Sequence, residues 1–397
     1  MQGYGGYLFN AVKVCDYFSA SVVQGLKGYK MTRRNQRYLR RKAKRQARRI
    51  SYIAKFDDFN TIFTRNNLFN SADLAKKNVM WKGTVQRWSI NQLLNTEQLY
   101  RDLQANKDVR KGFSKFTINE RGKIRHISAV KIYERVVQKC LCKYALYPVL
   151  TKPLIFDNSA SQKNKGVKFA QDRLVKFLRR YYRKNGNEGY ILLVDFRKYF
   201  DSINHDIAKA NIRRYFTDKK LLKYVDDFID AYGCVGLGLG SETSQIHAIS
   251  YPNNIDHTIT EKGFKIHVGR YMDDSYVIAK EKPTLIKVLN IIKKVAETLK
   301  LTLSPRKTVI TKLKNGFVWL KTKFYLLSSG KILRKPCRKA VVRQRRKLKK
   351  HIAFLRNGLM SLKQVTQALE SWAGSMKRRN ARLSVWKMRQ ILWSNLK

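Results

Sequence analysis

The sequence predicts an α+β fold, because patterns typical of strands and of helices both recur along its 397 residues. Residues 190–194, YILLV, form a continuous apolar run that is typical of a strand buried on both faces. Two alternating runs on either side of a turn from Asn119 to Gly122 predict a β-hairpin. Helical periodicity covers three internal segments and the C-terminal region, namely residues 134–150 with an end at Pro148, residues 206–232, residues 283–300 and the residues from Lys331 onward.

The charge of the chain restricts the class of its partners. Lys and Arg number 84 against 27 Asp and Glu, which gives a formal net charge of +57. A surface this basic fits a polyanion such as nucleic acid. Hydrophobic residues make up 44% of the chain, enough to bury a core and to exclude global disorder. No stretch approaches the roughly 18–20 apolar residues that a membrane-spanning helix needs, so no membrane partner is expected.

The cysteines indicate a reducing compartment. There are five of them, an odd number, and no two form a CxxC pair. This pattern argues against a disulfide scaffold and against a zinc site. We therefore expect a cytoplasmic location.

The two N-terminal segments differ sharply in composition. Residues 1–30 are aromatic, small and nearly uncharged, and they are either a native extension or upstream read-through before a start at Met31. From Arg33 to Arg49, ten of seventeen residues are Lys or Arg, and none is acidic. Residues 31–55 are therefore predicted to form an arm that binds RNA, the alternative being a solvated tail. The candidate contacts of this arm are Arg33, Arg34, Arg37, Arg40 and Arg41.

Three aspartates stand at predicted strand ends in a chain with few acids. Asp195 directly follows the apolar run 190–194, and Asp273 and Asp274 lie at the exposed tip of a hairpin predicted within GRYMDDSYVIA. Adjacent carboxylates repel each other unless a cation lies nearby. Taken separately, the pair could be a solvated turn and Asp195 a helix cap. Together they offer the hard oxygen ligands that suit Mg²⁺, and two such ions support phosphoryl transfer.

The Tyr-Met-Asp-Asp stretch, preceded by a strand-ending Asp, resembles the palm of reverse transcriptases. The similarity extends over roughly residues 56–397 and is greatest to the prokaryotic branch that includes group II intron maturases, retrons, diversity-generating retroelements and phage-defence enzymes. It implies a right-hand polymerase with fingers at residues 56–135, a palm of antiparallel sheet and helices at residues 136–328, and a basic helical thumb at residues 329–397.

The resemblance assigns the catalytic site. It makes Asp195, Asp273 and Asp274 the metal-binding triad, with the backbone carbonyl of Phe196 as a further ligand. The implied cofactor is a pair of Mg²⁺ ions, for which Mn²⁺ could substitute. Phe200, five positions after Asp195, becomes the steric gate that excludes a ribose 2′-OH, the alternative being simple core packing.

Further contacts follow from the same resemblance. In GLGLGSETSQ, Gly240 lets the backbone approach the nucleotide, and Gln245 is an implied dNTP contact. Ser244 and Gln245 open the following helix with an ending similar to that of diversity-generating retroelements. The remaining implied dNTP contacts are Lys123 and Arg125, whose alternative is a pair of solvated hairpin cations, and Lys307. The implied primer and template contacts are Tyr271, Met272, Phe317, Leu320, Arg345 and Arg346.

The implied activity is RNA-directed DNA polymerisation, in which dNTPs are added to a primer by two-metal phosphoryl transfer. Expected partners are an RNA template in the form of a structured non-coding RNA, the DNA product strand and dNTPs, and either a partner protein or a second copy of the chain could join them. Antiphage defence in a bacterial or phage-infected cell is the first hypothesis for the role. A mutagenic reverse transcriptase of a diversity-generating retroelement is the second, and a catalytically silent RNA-binding protein is the alternative from another class.

Overall fold

The computed structural model describes residues 33–120 and 122–396. The chain divides into two compact units, residues 1–55 and residues 56–397. The expectations for residues 1–30 and for a start at Met31 lie outside the described residues, as do the side chains of Arg34 and Lys123.

The first unit contributes one described helix, α1 (Arg33–Ala54). This helix has no acidic residue along its length, and its arginines are exposed where they are described. Its lysines and arginines lie between Arg33 and Arg49, so the positive charge extends over nearly five of the roughly six turns that 22 residues span at 3.6 residues per turn.

The second unit combines helices with three antiparallel sheets. Its helices are α2 (Phe59–Ile62), α3 (Arg65–Lys76), α4 (Gly83–Ile90), α5 (Gln92–Gln104), α6 (Ile132–Leu141), α7 (Tyr147–Leu150), α8 (Val167–Asn185), α9 (His205–Arg213), α10 (Lys219–Asp230), α11 (Glu242–Ser250), α12 (Asn253–Glu261), α13 (Lys282–Thr298), α14 (Arg338–Arg356), α15 (Leu362–Met376) and α16 (Arg382–Trp393). Its strands are β1 (Phe113–Glu120), β2 (Lys123–Val130), β3 (Tyr190–Val194), β4 (His267–Tyr271), β5 (Asp274–Ala279), β6 (Val309–Lys312), β7 (Phe317–Trp319), β8 (Thr322–Leu326) and β9 (Ile332–Pro336).

The predicted hairpin is confirmed as the two-stranded sheet of β1 and β2, which pair from Phe113 with Val130 to Glu120 with Lys123. The turn is stabilised by its own side chain, because the amide of Gly122 donates to Asn119 Oδ1 at 2.9 Å. Gly122 has a φ of +84°, a conformation that favours glycine.

The helix predicted to end at Pro148 has a different course. Helix α6 is followed by a π-helical turn, Cys142–Leu146, and Pro148 lies inside α7. A proline ring clashes with the carbonyl four residues earlier in a regular α-helix, and the wider π-turn accommodates it. The expected stop at Pro148 is therefore wrong, because the helical path continues to Leu150.

Four antiparallel strands form the central sheet in the order β4–β5–β3–β6. Strand β3 has the bounds that the sequence predicted, and it lies between β5 and β6. Helix α13 contacts β3 and β5, and α8 contacts β4. A core of apolar side chains from α8, the central sheet and the neighbouring strands includes Leu174, Leu178, Ile191, Ile278 and Phe324. This packing holds the ends of β3 and β5 in a fixed register.

The third sheet, in the order β7–β8–β9, precedes the C-terminal helices. The helical expectation from Lys331 onward is wrong at its start, because Ile332–Pro336 is strand β9 and pairs with β8. Helices α14, α15 and α16 then pack around a small core that includes Leu348, Val365 and Met388. In the part of the chain that the structure describes, no helix combines the length and hydropathy needed to cross a membrane.

We expect Gly269→Ala to destabilise the central sheet. Gly269 pairs with Tyr276 across β4 and β5, and an added Cβ would lie 2.6 Å from the Tyr276 ring. The buried ring would have to shift, so urea unfolding should show a loss of about 1–3 kcal/mol in the free energy of unfolding.

The matched control is Gly374→Ala in α15, where no heavy atom lies within 4 Å of the added Cβ. Replacing an exposed helical glycine by alanine should raise the free energy of unfolding by about 0.5–1 kcal/mol. Equal effects of the two substitutions would contradict this account of the sheet.

Candidate active site

Two of the three expected aspartates lie side by side at the end of the central sheet. Asp195 follows β3 directly, and Asp274 is the first residue of β5. Because these strands are antiparallel and Val194 pairs with Ser275, the next step of the register brings Asp195 beside Asp274. Their carboxyl groups are close enough to share a hydrogen bond.

The third aspartate lies in the turn between β4 and β5. Asp273 follows Met272, whose φ of +56° closes this turn. The expectation of an exposed tip is wrong, since Asp273 and Asp274 are both half-buried. The turn is held against the sheet, where Tyr271 packs on the core beneath it.

The electrostatics of the cluster are dominated by burial and mutual repulsion. Burial raises the pKa of Asp273, and the carboxylate of Asp195 adds to the increase. Burial, the charge of Asp273 and the hydrogen bond with Asp195 raise the pKa of Asp274 to about 7. The cluster therefore favours added positive charge, in the form of a proton or a cation.

Lys307 supplies positive charge to this cluster. Its Nζ donates to Asp195 Oδ2 at 2.6 Å, although the lysine side chain is 64% exposed. Burial opposes the charge of Lys307, but the hydrogen bond with Asp195 and the negative charges of the three aspartates together outweigh burial and raise the lysine pKa. Lys307 is therefore protonated at neutral pH and lies at the edge of the aspartate cluster.

The donors of this cluster fit a divalent cation. Within residues 33–120 and 122–396, no three His, Cys, Asp or Glu side chains form a group that could hold a metal ion without rearrangement. Carboxylate oxygens are nevertheless the ligands that Mg²⁺ and Mn²⁺ prefer, and burial together with the neighbouring carboxylates raises the pKa values of Asp273 and Asp274. Lys307 already donates to Asp195 Oδ2, so a bound ion would share this carboxylate with the lysine.

A cavity of about 610 Å³ connects this cluster to the β7–β8 hairpin. Asp195, Asp274 and Lys307 line it together with Phe317 and Leu320, so the structure brings these five expected site residues to one place. Phe317 is only 3% exposed and belongs to the core, whereas Leu320 is half-buried at the hairpin turn. Of this pair, Leu320 is therefore better placed to contact a ligand.

The two phenylalanines after Asp195 have different environments. The side chain of Phe196 is buried, with its ring stacked on Tyr199, so only its backbone carbonyl remains a candidate ligand. Phe200 is half-buried in a 3₁₀ turn, Phe200–Ser202, and its ring meets Tyr199 edge-on at 5.8 Å. Its carbonyl accepts a hydrogen bond from the amide of Leu237. Partial exposure of the ring fits both interpretations of Phe200, as a steric gate and as a residue of the core.

The glycine expected beside the nucleotide packs against the β1–β2 hairpin. A Cβ on Gly240 would lie 3.0 Å from the carbonyl oxygen of Ser128, and its φ of +119° also favours glycine. The amide of Ser128 donates to the carbonyl of Leu239, which ties this loop to β2. Gly240 is thus required by contact with the hairpin.

The residues after Gly240 line a separate groove. Helix α11 begins at Glu242 with Ser241 as its cap, so Ser244 and Gln245 lie in its first turns and do not open it. Ser244 is buried and Gln245 is exposed. Gly240 and Gln245 line a groove of about 810 Å³ with the basic residues Arg135, Lys139, Lys143 and Lys163. This groove does not include the aspartates.

The remaining expected contacts lie at the hairpin and on α14. Arg125 Nε donates to Glu120 Oε2 at 2.8 Å, and Lys321 Nζ reaches the other oxygen of Glu120 at 3.3 Å. The hairpin is thereby linked to the β7–β8 turn beside the cavity. Arg345 and Arg346 are exposed on α14 and do not line the aspartate cavity.

Sequence reasoning missed a buried ion pair behind the cluster, Arg270 with Asp256. Arg270 lies in β4 immediately before the Tyr-Met-Asp-Asp stretch. A charged residue within an otherwise buried strand is a signal that could have identified it.

We expect the ionisation of Asp274 to reduce the stability of the metal-free protein. The raised pKa means that the folded chain binds this proton more tightly than the unfolded chain does, so stability is lost as pH rises from about 4 through about 7. Urea unfolding with a chelator should show this loss, and Asp274→Asn should flatten it. At pH 8 the variant should be more stable by about 1–3 kcal/mol, given about 1.4 kcal/mol per pKa unit.

Asp206→Asn, at an exposed position in α9, is the control and should retain the pH dependence of the wild type. The same pH dependence in the wild type and in Asp274→Asn would contradict this electrostatic account.

Solved telomerase structures are similar to the chain over part of its length. An apo telomerase from Candida tropicalis, truncated from its C-terminal domain, has 18% identity and a TM-score of 0.44, covering 56% of this chain and 55% of its own. A telomerase from Candida albicans with a fragment of telomeric RNA has 13% identity and a TM-score of 0.46, covering 79% of this chain and 60% of its own. The chain therefore spans a little over half of the length of these telomerases.

None of the curated proteins matches the sequence. A family model described as reverse transcriptase (RNA-dependent DNA polymerase) matches residues 109–341, which is more than half of the chain and includes the three aspartates. The chain therefore belongs to the reverse transcriptase family.

Proposed function

We propose that this chain is an RNA-directed DNA polymerase that extends a primer with dNTPs on an RNA template. The observation that carries the proposal is the placement of Asp195 beside Asp274, with Lys307 in contact, in a cavity at the end of the central sheet. Family membership supports the same reaction class. In this reaction the primer 3′-OH attacks the α-phosphorus of the dNTP, and pyrophosphate leaves.

The aspartates would hold two divalent cations, Mg²⁺ or in its place Mn²⁺. Bound there, such ions neutralise charge on the attacking and leaving oxygens of a phosphoryl transfer. Asp195, Asp273 and Asp274 provide the carboxylate ligands, and the carbonyl of Phe196 is a further candidate. Because a cation competes with the proton on Asp274, binding should strengthen as pH rises through about 7.

The basic residues around the cavity would position the nucleotide. Lys307 is protonated and largely exposed, so its Nζ can donate a proton or a hydrogen bond to the departing pyrophosphate. Arg125 is suited to a bidentate phosphate contact once the triphosphate replaces Glu120 as its partner. The Phe200 ring would lie below the sugar and leave no room for a 2′-OH.

The wider role is proposed from charge and composition. We assign the chain to the prokaryotic branch of the family and propose a structured non-coding RNA as its template, held in part by the basic helix α1. We propose antiphage defence as the role. In that case, cells that carry a D273A/D274A variant should lose the protection against phage that the wild type gives. The alternative, a mutagenic retroelement enzyme, is favoured by Ser244 and Gln245 and requires a paired template and variable repeat near the gene.

We expect Asp195→Asn to abolish primer extension. Loss of one carboxylate removes charge that the reaction needs, so kcat on an RNA template with a DNA primer should fall by about 10³-fold or more. Asp206→Asn should retain wild-type activity, because this carboxylate is exposed in α9, outside the aspartate cavity. A folded wild-type chain that binds RNA and never extends a primer would favour the silent RNA-binding alternative.

We expect binding of structured RNA to depend on α1. Replacing Arg33, Arg34, Arg37, Arg40 and Arg41 by Gln should reduce the slope of log K against log salt by up to about 4, at roughly 0.7–0.9 per phosphate contact. The control removes the same charge from exposed lysines in and just after α13, namely Lys282, Lys287, Lys293, Lys294 and Lys300. Equal slopes for the two variants would contradict an RNA-binding role for the arm.

A further inference from the structure

The Arg270–Asp256 pair is buried to an extent that stability alone does not explain. Arg270 is 1% exposed and Asp256 is 0% exposed. Arg270 Nε lies 2.8 Å from both oxygens of Asp256, and a second guanidinium nitrogen lies 2.7 Å from Oδ1. Desolvation makes such pairs expensive, and well-packed apolar residues often serve as well or better. A role in fixing local geometry therefore explains this buried ion pair better than a contribution to stability does.

The same guanidinium also holds the turn that carries Asp273. Its remaining nitrogen, Nη1, donates to the carbonyl oxygen of Met272 at 3.3 Å. Met272 has a φ of +56°, a strained conformation for a non-glycine residue that persists only where its surroundings hold it. The hydrogen bond from Arg270 is one such constraint, and it acts one residue before Asp273.

The backbone of Arg270 is held by two hydrogen bonds to residues 157–159. Its amide donates to the carbonyl of Asp157 at 3.0 Å, and its own carbonyl accepts from the amide of Ser159 at 3.0 Å. The guanidinium carbon also lies 5.8 Å from the ring centroid of Phe196, the residue after Asp195. One side chain thus contacts the turn before Asp273 and the residue after Asp195, while α12 supplies its counter-charge.

We propose that the Arg270–Asp256 pair is a positioning clamp that fixes the Met272–Asp273 turn, and through it the Asp273 carboxylate, relative to Asp195. The inference rests on the proposed function and names residues that act behind the catalytic cluster. Both side chains are fully buried, so they act through the turn.

The test replaces both charges together by the R270M/D256L double substitution, so that neither remains buried without its partner. The variant should unfold cooperatively and bind template–primer as the wild type does. Mn²⁺ affinity of the protein, measured by electron paramagnetic resonance without substrate, should fall by about 10-fold, as when a residue behind a metal ligand is lost. The kcat for primer extension should fall by about 10²-fold, with KM for dNTP little changed, since the defect is one of placement.

Arg270→Lys is the second variant, and it decides the question if the double variant fails to fold. A lysine keeps the charge, but a single ammonium cannot replace the fork that reaches both Asp256 and the Met272 carbonyl. It should show the same loss of Mn²⁺ affinity and kcat. The control is R213M/D226L, which removes an ion pair between α9 and α10 and should leave both quantities unchanged.

A folded clamp variant with wild-type Mn²⁺ affinity and kcat would overturn the inference, as would an equal loss in the control. If the wild type binds Mn²⁺ but extends no primer, the proposed polymerase activity fails while the affinity comparison still decides on the clamp. A wild-type chain that binds no Mn²⁺ would overturn both.

Discussion

Burial of three mutually repelling carboxylates, one fully and two half-buried, is the constraint on which the site depends. Asp195, Asp273 and Asp274 lie together although the chain carries 84 basic residues and only 27 acidic ones. Burial and their proximity raise the pKa of Asp274 to about 7, so the cluster gains from any positive charge that reaches it. Lys307 satisfies part of this demand, and a pair of divalent cations under a nucleotide would satisfy the rest. An arrangement that costs stability without a cation is better explained by function than by folding.

The central sheet produces this arrangement through register. Pairing of Val194 with Ser275 fixes where β3 ends relative to β5, and the two aspartates follow from that single step. Gly269 allows β4 to lie close to the Tyr276 ring of the neighbouring strand. The cavity then extends from the aspartates to the β7–β8 hairpin, so the proposed metal ligands and the proposed primer contact Leu320 line one cavity. The reverse transcriptase family assignment and the geometry of the cluster therefore support the same reaction.

The sequence predicted the features that local pattern determines. Residues 190–194 are apolar throughout, and Asn119 with Gly122 forms a turn through its own side chain, so both were predictable. Features that depend on distant contacts were not. Pro148 continues a helix because of a π-turn before it, Gly240 is required by Ser128 more than a hundred residues earlier, and β9 forms only because β8 is there to pair with it. The Arg270–Asp256 pair likewise joins a strand to a helix, which no local periodicity encodes.

The most direct test of the central claim is anomalous diffraction at the manganese edge from crystals soaked with Mn²⁺ and a non-hydrolysable dNTP. The account predicts two peaks about 3.5–4 Å apart, both within bonding distance of Asp195 and one of them also contacting Asp273 or Asp274. Well-ordered nucleotide with no peak at these aspartates, or with ions bound only elsewhere, would contradict it.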